Sequence, residues 1–493
     1  MLDRAIAAVA PVYGFNRAAH RAAIRAMAGG GYDGAAVGRR TGGWFASNGS
    51  ANAITRSPLP QLRARSRDIV RNTWWGAKIK RTICGHAVGY GVTPVFKTST
   101  KSLNRKAADL FAEWSRGCDA DGQLDFNGLS ALACDCVIES GETLAQFMPL
   151  RGGANKVPLE IKLYEPDHLD SVRDQAFGAA VIDQGIEYTA DGKRAAFWLL
   201  PQHPGNAQVF DRGPSRRVPA ADVLHVYRKD RIGQGRGVPW VAPVILKGRD
   251  IADLEEAVVV KARIEACLAA FVKTNDATRT LAQSTQTEAR TSRRLETLSP
   301  GMVFYGEPGE ELTTINPSSS MAFESVLVAA WFTLAAGAGI TYDQLTGDHR
   351  QSNFSSLKAG KIEFRRAIEQ FQWLTLRAMW FDPLLDRFVS AAQDIGALPR
   401  RAHGYPREWI FPAWEPIDPI KELQADIMAV RAGRLTWANF VAGWGFEPEA
   451  QLDEIERWLK EIDARGIALD ADPRRIFKGA GQVADPAAPA GGG

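Results

Sequence analysis

The chain has 493 residues, of which 45% are hydrophobic and 24% charged. That is long enough for two to four domains and too ordinary for a fibrous or disordered polymer. A net charge of +4 excludes a histone-like DNA wrapper. The charge is nonetheless uneven: residues 1–80 carry thirteen Lys and Arg against three acids, a balance of +10, so the remainder is net negative. Such a basic stretch reads either as a solvated arm or as a contact for phosphates or an acidic neighbour.

The five cysteines, Cys84, Cys118, Cys134, Cys136 and Cys267, are odd in number and scattered. They fit reduced thiols buried as small hydrophobes better than disulfides or a metal site. Residues 1–30 mix Ala with Arg and lack a clean apolar core, so no secretory signal is expected. The longest uncharged apolar stretch, 326–340, is shorter than the ~20 residues that span a bilayer, so no membrane association is expected.

In chain order, residues 28–60 are rich in Gly, Ser, Asn and Ala and read as a loose arm. A helix is predicted over 61–86, another over 103–114 and a third over 126–140. Strands are predicted next at 142–149, 159–164, 185–189, 195–200 and 222–227, with Asp191-Gly192 as a hairpin turn. Residues 61–240 thus predict an α+β domain with a mostly antiparallel sheet. Beyond Pro243 come a long helix at 244–272, a polar segment at 273–316 with a short strand at 301–306, and a second apolar helix at about 320–337. Phe354, Leu357, Phe364, Ile368, Phe371, Leu374, Ala378, Phe381, Leu385 and Phe388 recur at helical spacing, predicting one long helix kinked at Pro383. An extended, aromatic and Pro-rich connection at 405–419 leads to two last helices, 419–432 and 448–465.

No catalytic constellation is found. The glycine-rich stretch Gly233-Gln-Gly235-Arg-Gly237 has the wrong spacing for a dinucleotide loop and lacks a βαβ unit around it. It reads as a flexible hinge, with Pro239 and Pro243 behind it. There is no G-x-x-x-x-G-K-[ST], no G-x-S-x-G and no H-E-x-x-H. No cofactor or metal is therefore expected, and no enzymatic activity. The polar run after Gly347 holds His349, Arg350, Asn353 and Lys358, which offer donors to phosphate oxygens without reading bases. The alternative is a plain helix N-terminus capped by Ser352 or Asn353.

Three stretches together resemble the portal proteins of lambda-type tailed phages over about residues 10–470. One runs from Arg231 through Trp240 to Pro243. A second runs from Tyr342 through Gly347 and Asp348 to Asn353, Ser356 and Gly360. The third runs from Trp414 through Asp418 to Lys421. The resemblance implies a portal fold with an α/β wing, a two-helix stem, a clip, a tunnel loop and an α-helical crown, assembled as a dodecameric ring. On this sequence it implies a basic N-terminal arm at 1–60, a wing at 61–243, a stem helix at 244–272, a clip at 273–316 and a stem helix at 317–337. It then implies a tunnel loop at 338–353, a long wing helix and extended connection at 354–418, a crown at 419–470 and a disordered tail at 471–493.

The function so implied is a channel at one capsid vertex for packaging and ejecting double-stranded DNA. Its partners would be other copies of itself, the terminase large subunit, head-completion or adaptor proteins, and the major capsid and scaffolding proteins. It would be assembled in the host cytoplasm and retained in the virion. The expected DNA-facing residues are Lys261, Arg263, Lys273, His349, Arg350, Asn353 and Lys358. A shorter head–tail adaptor fits the length poorly, and a terminase enzyme would need the missing P-loop.

Overall fold

Apolar residues at helical spacing after residue 59 build a long helical run, but it is not one helix. The computed structural model describes residues 46–149, 155–177, 180–206, 213–267, 271–274, 310–313, 321–350, 354–469 and 472–474, with isolated positions before 46. The chain forms two units, 1–54 and 55–493, and every described strand and long helix belongs to the second. A short helix, α1 (Ala51–Arg56), precedes α2 (Leu59–Asn72) and α3 (Trp74–Ala87). Residues 51–60, expected as part of a loose arm, are therefore largely helical. The expected helix over 61–86 is broken at Thr73, whose backbone is extended and whose Oγ1 accepts from Gly76 N at 3.2 Å. The chain folds back so tightly there that a Cβ on Gly76 would lie 2.6 Å from Ile69 O.

Next come β1 (Thr93–Phe96), α4 (Lys101–Ser115) and α5 (Phe126–Ser140). Strands β2 (Glu142–Pro149), β3 (Leu159–Tyr164) and β9 (Val223–Tyr227) form an antiparallel sheet in the order β3-β2-β9. Between β3 and β9 an antiparallel meander is inserted, with β4 (Gln175–Phe177), β5 (Ala180–Asp183), β6 (Ile186–Tyr188), β7 (Arg194–Leu199) and β8 (Arg216–Pro219) in sequence order. The β6–β7 turn carries Gly192 at φ +75°, as the Asp191-Gly192 pair predicts. Sequence pattern missed β1, β4, β5 and β8, which are only three or four residues long. The antiparallel α+β domain expected over 61–240 is what forms.

The chain then enters α6 (Ile245–Cys267), reaches β10 (Phe271–Thr274), and returns through β11 (Glu310–Thr313) to α7 (Met321–Ala338). Phe271 and Val272, expected at the end of the long helix, are instead in a strand paired with Thr313 and Leu312. The strand expected at 301–306 lies outside the described residues. Helices α8 (Tyr342–Thr346) and α9 (Phe354–Phe371) come next, then a π-helical stretch over Gln372–Phe381 and α10 (Asp382–Asp394). Strand β12 (Arg407–Ile410) closes the extended connection by pairing with β1 across more than 300 residues of sequence. The last described helices are α11 (Pro419–Arg431), α12 (Trp437–Gly443) and α13 (Pro448–Arg465).

The long helix is continuous through α9, the π stretch and α10, but its apolar stripe slips. Phe364, Ile368 and Phe371 are buried before the π stretch, and Phe381, Leu385 and Phe388 after it. Within it Leu374 and Ala378 point to solvent, while Thr375, Leu376 and Trp380 turn inward. Bonding from i to i+5 widens each turn, so the strict 3.6-residue period no longer holds. Pro383, which has no N–H to donate back, sits just past the end of this stretch. Buried Gln372 uses the altered register to donate to His86 O (3.1 Å) and Ala87 O (3.0 Å), the last carbonyls of α3.

One core joins α3, α4, α5, β2, α6, α7 and the long helix, and a smaller one lies between β2, β7 and β9. Trp114, Trp380, Phe126, Phe381 and Phe388 are all nearly inaccessible in the first. Trp380 also donates Nε1–H to Ser130 Oγ at 2.9 Å. Trp380→Ala removes both the packing and that donor, and is expected to cost about 3–5 kcal/mol; the urea midpoint measures it.

Candidate functional site

Helix α5 ends at Gly141, in the left-handed region at φ +91°, which turns the chain straight into β2. The first residue of that strand is Glu142, and its carboxylate is wholly buried. Oε1 accepts from Arg236 Nε (2.8 Å) and Nη2 (2.6 Å) and from Arg63 Nη2; Oε2 accepts from Gly237 N (2.7 Å) and faces His225 Nε2 (2.8 Å). Four segments thus meet on one carboxylate: α2, β2, β9 and the glycine-rich loop. The remaining donors are matched as well. Arg63 Nε reaches Ser140 O at 3.2 Å, and Arg236 Nη1 reaches Gln184 O at 3.3 Å.

Burial alone would raise the Glu142 carboxyl, but Arg236, Arg63 and the His225 hydrogen bond hold it well below the usual range. The opposite holds for His225, whose burial outweighs Glu142 and brings the imidazole down to about 4. The neutral ring donates Nε2–H to Glu142 and leaves Nδ1 without a hydrogen bond among the described residues.

This packing corrects the expected hinge. Gln234, Gly235, Arg236, Gly237 and Pro239 are buried, and only Gly233 and Pro243 of the predicted set are exposed. A Cβ at Gly237 would lie 2.1 Å from Gly141 O, so glycine here allows two backbones to touch rather than one to swing. Only Gly233, at φ +77°, uses glycine for its conformation.

The loop delivers Trp240 to the root of the two long helices. Its ring lies against Phe371 and under the Arg228 guanidinium (4.3 Å), and Nε1 donates to Ala338 O, the last residue of α7, at 2.8 Å. At the same root a Cβ on Gly337 would lie 2.5 Å from Val244, and one on Gly248 would lie 2.3 Å from the Trp75 ring. The start of α6 and the end of α7 are therefore held together on the body, with residues 268–320 between them. Farther out, Trp331 Nε1 bonds Glu255 at 3.2 Å, and Val259, Val260, Val326 and Phe332 are exposed.

After α7, Gly339 (φ +74°) turns the chain into α8. Thr341 and Gln344 close a capping box at its start, and Tyr342 stacks on Phe332 at 4.1 Å. The stretch expected as a loop thus contains a capped helical turn, ended by Gly347 at φ +74°.

Of the predicted DNA-facing residues, Lys261 and Arg263 are exposed on α6, and Lys273 lies in β10 opposite Glu311. His349 and Arg350 are exposed after α8, and Lys358 is half-buried on α9, adding a little to the depression of the Asp418 carboxyl that the hydrogen bonds from Lys421 chiefly cause. Asn353 lies outside the described residues. The Arg350 guanidinium is held by Asp348, with Nε–Oδ1 at 3.0 Å and Nη2–Oδ2 at 2.9 Å. That pair, with the Arg350 N–H, pulls the Asp348 carboxyl down to about 2. The structure therefore spreads the set over α6, β10, the segment after α8, and α9.

Three groups of metal-ligand type that sequence spacing did not join come together at Glu165, Asp167 and His203, with their ligand atoms within 4.8 Å. Both carboxylates are already engaged by Arg67. Cys84, Cys118 and Cys134 are buried free thiols, and burial pushes Cys118 and Cys136 up to about 12. No described helix is long and apolar enough to cross a membrane.

The profile of the family described as "Phage portal protein, lambda family" matches residues 37–372. A "Probable portal protein" of Halomonas phage phiHAP-1 is 22% identical over 447 residues, covering 85% of this chain and 84% of its own length. The "Portal protein" of Escherichia phage N15 is 21% identical over 508 residues, covering 91% and 93%. Among solved structures, a chain from the "Neck of native GTA particle computed with C12 symmetry" is similar at 15% identity and a TM-score of 0.42, covering 80% of this chain and 94% of that one.

Glu142→Gln leaves two buried guanidinium groups without their counter-charge and is expected to destabilise the protein by about 3–5 kcal/mol in chemical denaturation. The pH dependence has a definite sign. Unfolded His225 protonates near 6.5 while the folded one resists until about 4, so its contribution is complete above 6.5 and is lost as pH falls toward 4. Glu142, depressed from 4.5, adds a further loss below 4.5. The urea midpoint should therefore fall in two stages on acidification, and His225→Gln should flatten the upper stage.

Proposed function

Because this chain belongs to the lambda family of phage portal proteins, we propose that it forms a ring at one capsid vertex, a dodecamer, through which double-stranded DNA enters and leaves. The observation that carries this reading is the stem root. Two long helices with exposed apolar side chains leave the body side by side, and the end of one is bonded to the loop that starts the other. Exposed Val259, Val260, Val326 and Phe332 are surfaces for neighbouring subunits, as a ring of repeated heterologous contacts requires.

On this reading residues 61–243 and 354–418 form the wing, α6 and α7 the stem, and 273–316 the clip. Residues 338–353 form the tunnel loop and 419–470 the crown. The clip would dock the terminase large subunit during packaging and head-completion or adaptor proteins afterwards, while the wing meets capsid and scaffolding proteins. Assembly would take place in the host cytoplasm and the ring would remain in the virion. The role is structural, and the cleavage of ATP would belong to the docked motor.

Lys261, Arg263, Lys273, His349, Arg350, Asn353 and Lys358 are proposed as DNA contacts, made to phosphates without base reading. Gly233, Gly235, Gly237, Pro239 and Pro243 are proposed as the wing-to-stem junction. Electron microscopy of the purified chain should show rings, and a strictly monomeric protein at high concentration would overturn the reading. Arg350→Ala with Lys358→Ala should reduce packaged DNA several-fold while rings still form. Unchanged packaging would remove both from the set.

A further inference from the structure

The segment between β9 and α6 ends in a tip that is fixed in shape and bare of cover. Ile232, at its apex, is 99% exposed, and Lys229 and Arg231 beside it are exposed as well. The tip is not held by its own packing but by buried Gln234. Asp230 N and Arg231 N donate to Gln234 Oε1 at 2.8 and 3.1 Å, and Gln234 Nε2 donates to Arg236 O at 2.8 Å. Tyr227 Oη closes the base by donating to Gln234 O at 2.9 Å, and Arg228 is drawn inward over Trp240. Holding a large aliphatic side chain in water on a braced turn does nothing for the fold of one chain. It does remove the ordering cost of a contact with another.

A surface of matching chemistry lies on the outer side of α6. Leu246, Asp250, Asp253 and Val260 are spaced by four, three and seven residues, so they share one face, and all four are exposed. Leu246 is 70% exposed at the head of this face. Arg249 approaches Asp253 only at 3.9 Å, and Asp250 has no ion-pair partner among the described residues. The tip also carries exposed Asp230, but Asp230 is paired with Arg228, which leaves Lys229 as the cation beside Ile232 to complement an aliphatic residue followed by two carboxylates. Since both surfaces are open to solvent within one subunit, a heterologous ring would supply the partner for each.

We propose that the tip around Ile232 docks on the Leu246–Asp250–Asp253 face of α6 in the adjacent copy, with Ile232 against Leu246 and Lys229 toward Asp250. The occupant is a second copy of this chain, and the inference rests on the ring proposed for it. Ile232 is the anchor, because a rigid apolar side chain excluded from water contributes more than rim charges. Lys229 and Asp250 fix the register and the direction of assembly.

Two measurements test it. Two variants, Ile232→Cys and Leu246→Cys, are purified separately, mixed and treated with a short bis-maleimide. The mixture should give a band of dimer mass that neither variant nor the unaltered chain gives alone. Sedimentation should show Ile232→Asp raising the concentration needed for assembly by about tenfold or more, with an unchanged melting temperature. Lys229→Glu should weaken assembly, and adding Asp250→Lys should restore it. Rings that form in the mixture without the new band, or Ile232→Asp assembling like the unaltered chain, would overturn the docking while leaving the ring reading intact. An unaltered chain that never assembles would overturn the ring reading, and the docking with it.

Discussion

The buried carboxylate of Glu142 is the point on which the other parts of this structure depend. A single side chain there receives two guanidinium groups, an imidazole and a backbone N–H from three other segments. Taking these charges out of water is costly, and their mutual attraction offsets that cost only when every donor and acceptor is matched. The matching is nearly complete, which ties α2, β2, β9 and the glycine-rich loop into one rigid corner. Because Trp240 comes directly after that loop and reaches the end of α7, the corner also sets where the two long helices leave the body. A charge cluster deep in the α+β domain thereby determines the geometry of a helical pair outside it.

The same corner explains why the glycines are there. Gly141 and Gly237 bring two backbones into contact, and any side chain at Gly237 would collide with Gly141 O. Glycine commonly signals mobility, but here it permits closeness, and the close approach is what lets the Gly237 N–H reach the carboxylate. A second rigid link runs from the π-helical stretch, where Gln372 satisfies the last carbonyls of α3. The long helix is thus fixed in rotation as well as in position, and the segment carrying α8 is held between two fixed ends.

Much of this was legible in the sequence, for reasons that differ by element. Helix α5, strands β2 and β3 and helix α13 fall where apolar spacing and flanking Gly or Pro place them. Short strands such as β1 and β12 did not register, because four residues offer too little period and their pairing spans the whole domain. The stripe of the long helix is legible at both ends and misleading at Leu374 and Ala378, since a π register cannot be seen in a count of threes and fours. The Glu142 cluster was missed altogether. Its members are far apart in sequence, and charged residues ordinarily lie on surfaces. The one hint was local: an acid opening an apolar strand directly after a helix-ending glycine, and an arginine set between two glycines. The family, by contrast, was legible from three short motifs, two of which bracket the root of the α6–α7 helical pair.

The electrostatics of the segment after α8 bear on how a duplex could pass such a surface. A bare guanidinium gains fully from meeting a phosphate, because it releases condensed counterions and gives up only water. Arg350 is already bound at two points by Asp348, so a phosphate must compete with a carboxylate that holds the same donors. A phosphate that met Arg350, as proposed, would gain less than one meeting a free guanidinium. Lys358 differs: it is half-buried on α9, and the carboxylate of nearby Asp418 is paired with Lys421 at 2.7 Å. For a portal that must let many phosphates go by without stopping at any, a cation tempered by a nearby acid, as Arg350 is by Asp348, would be more useful than a free one.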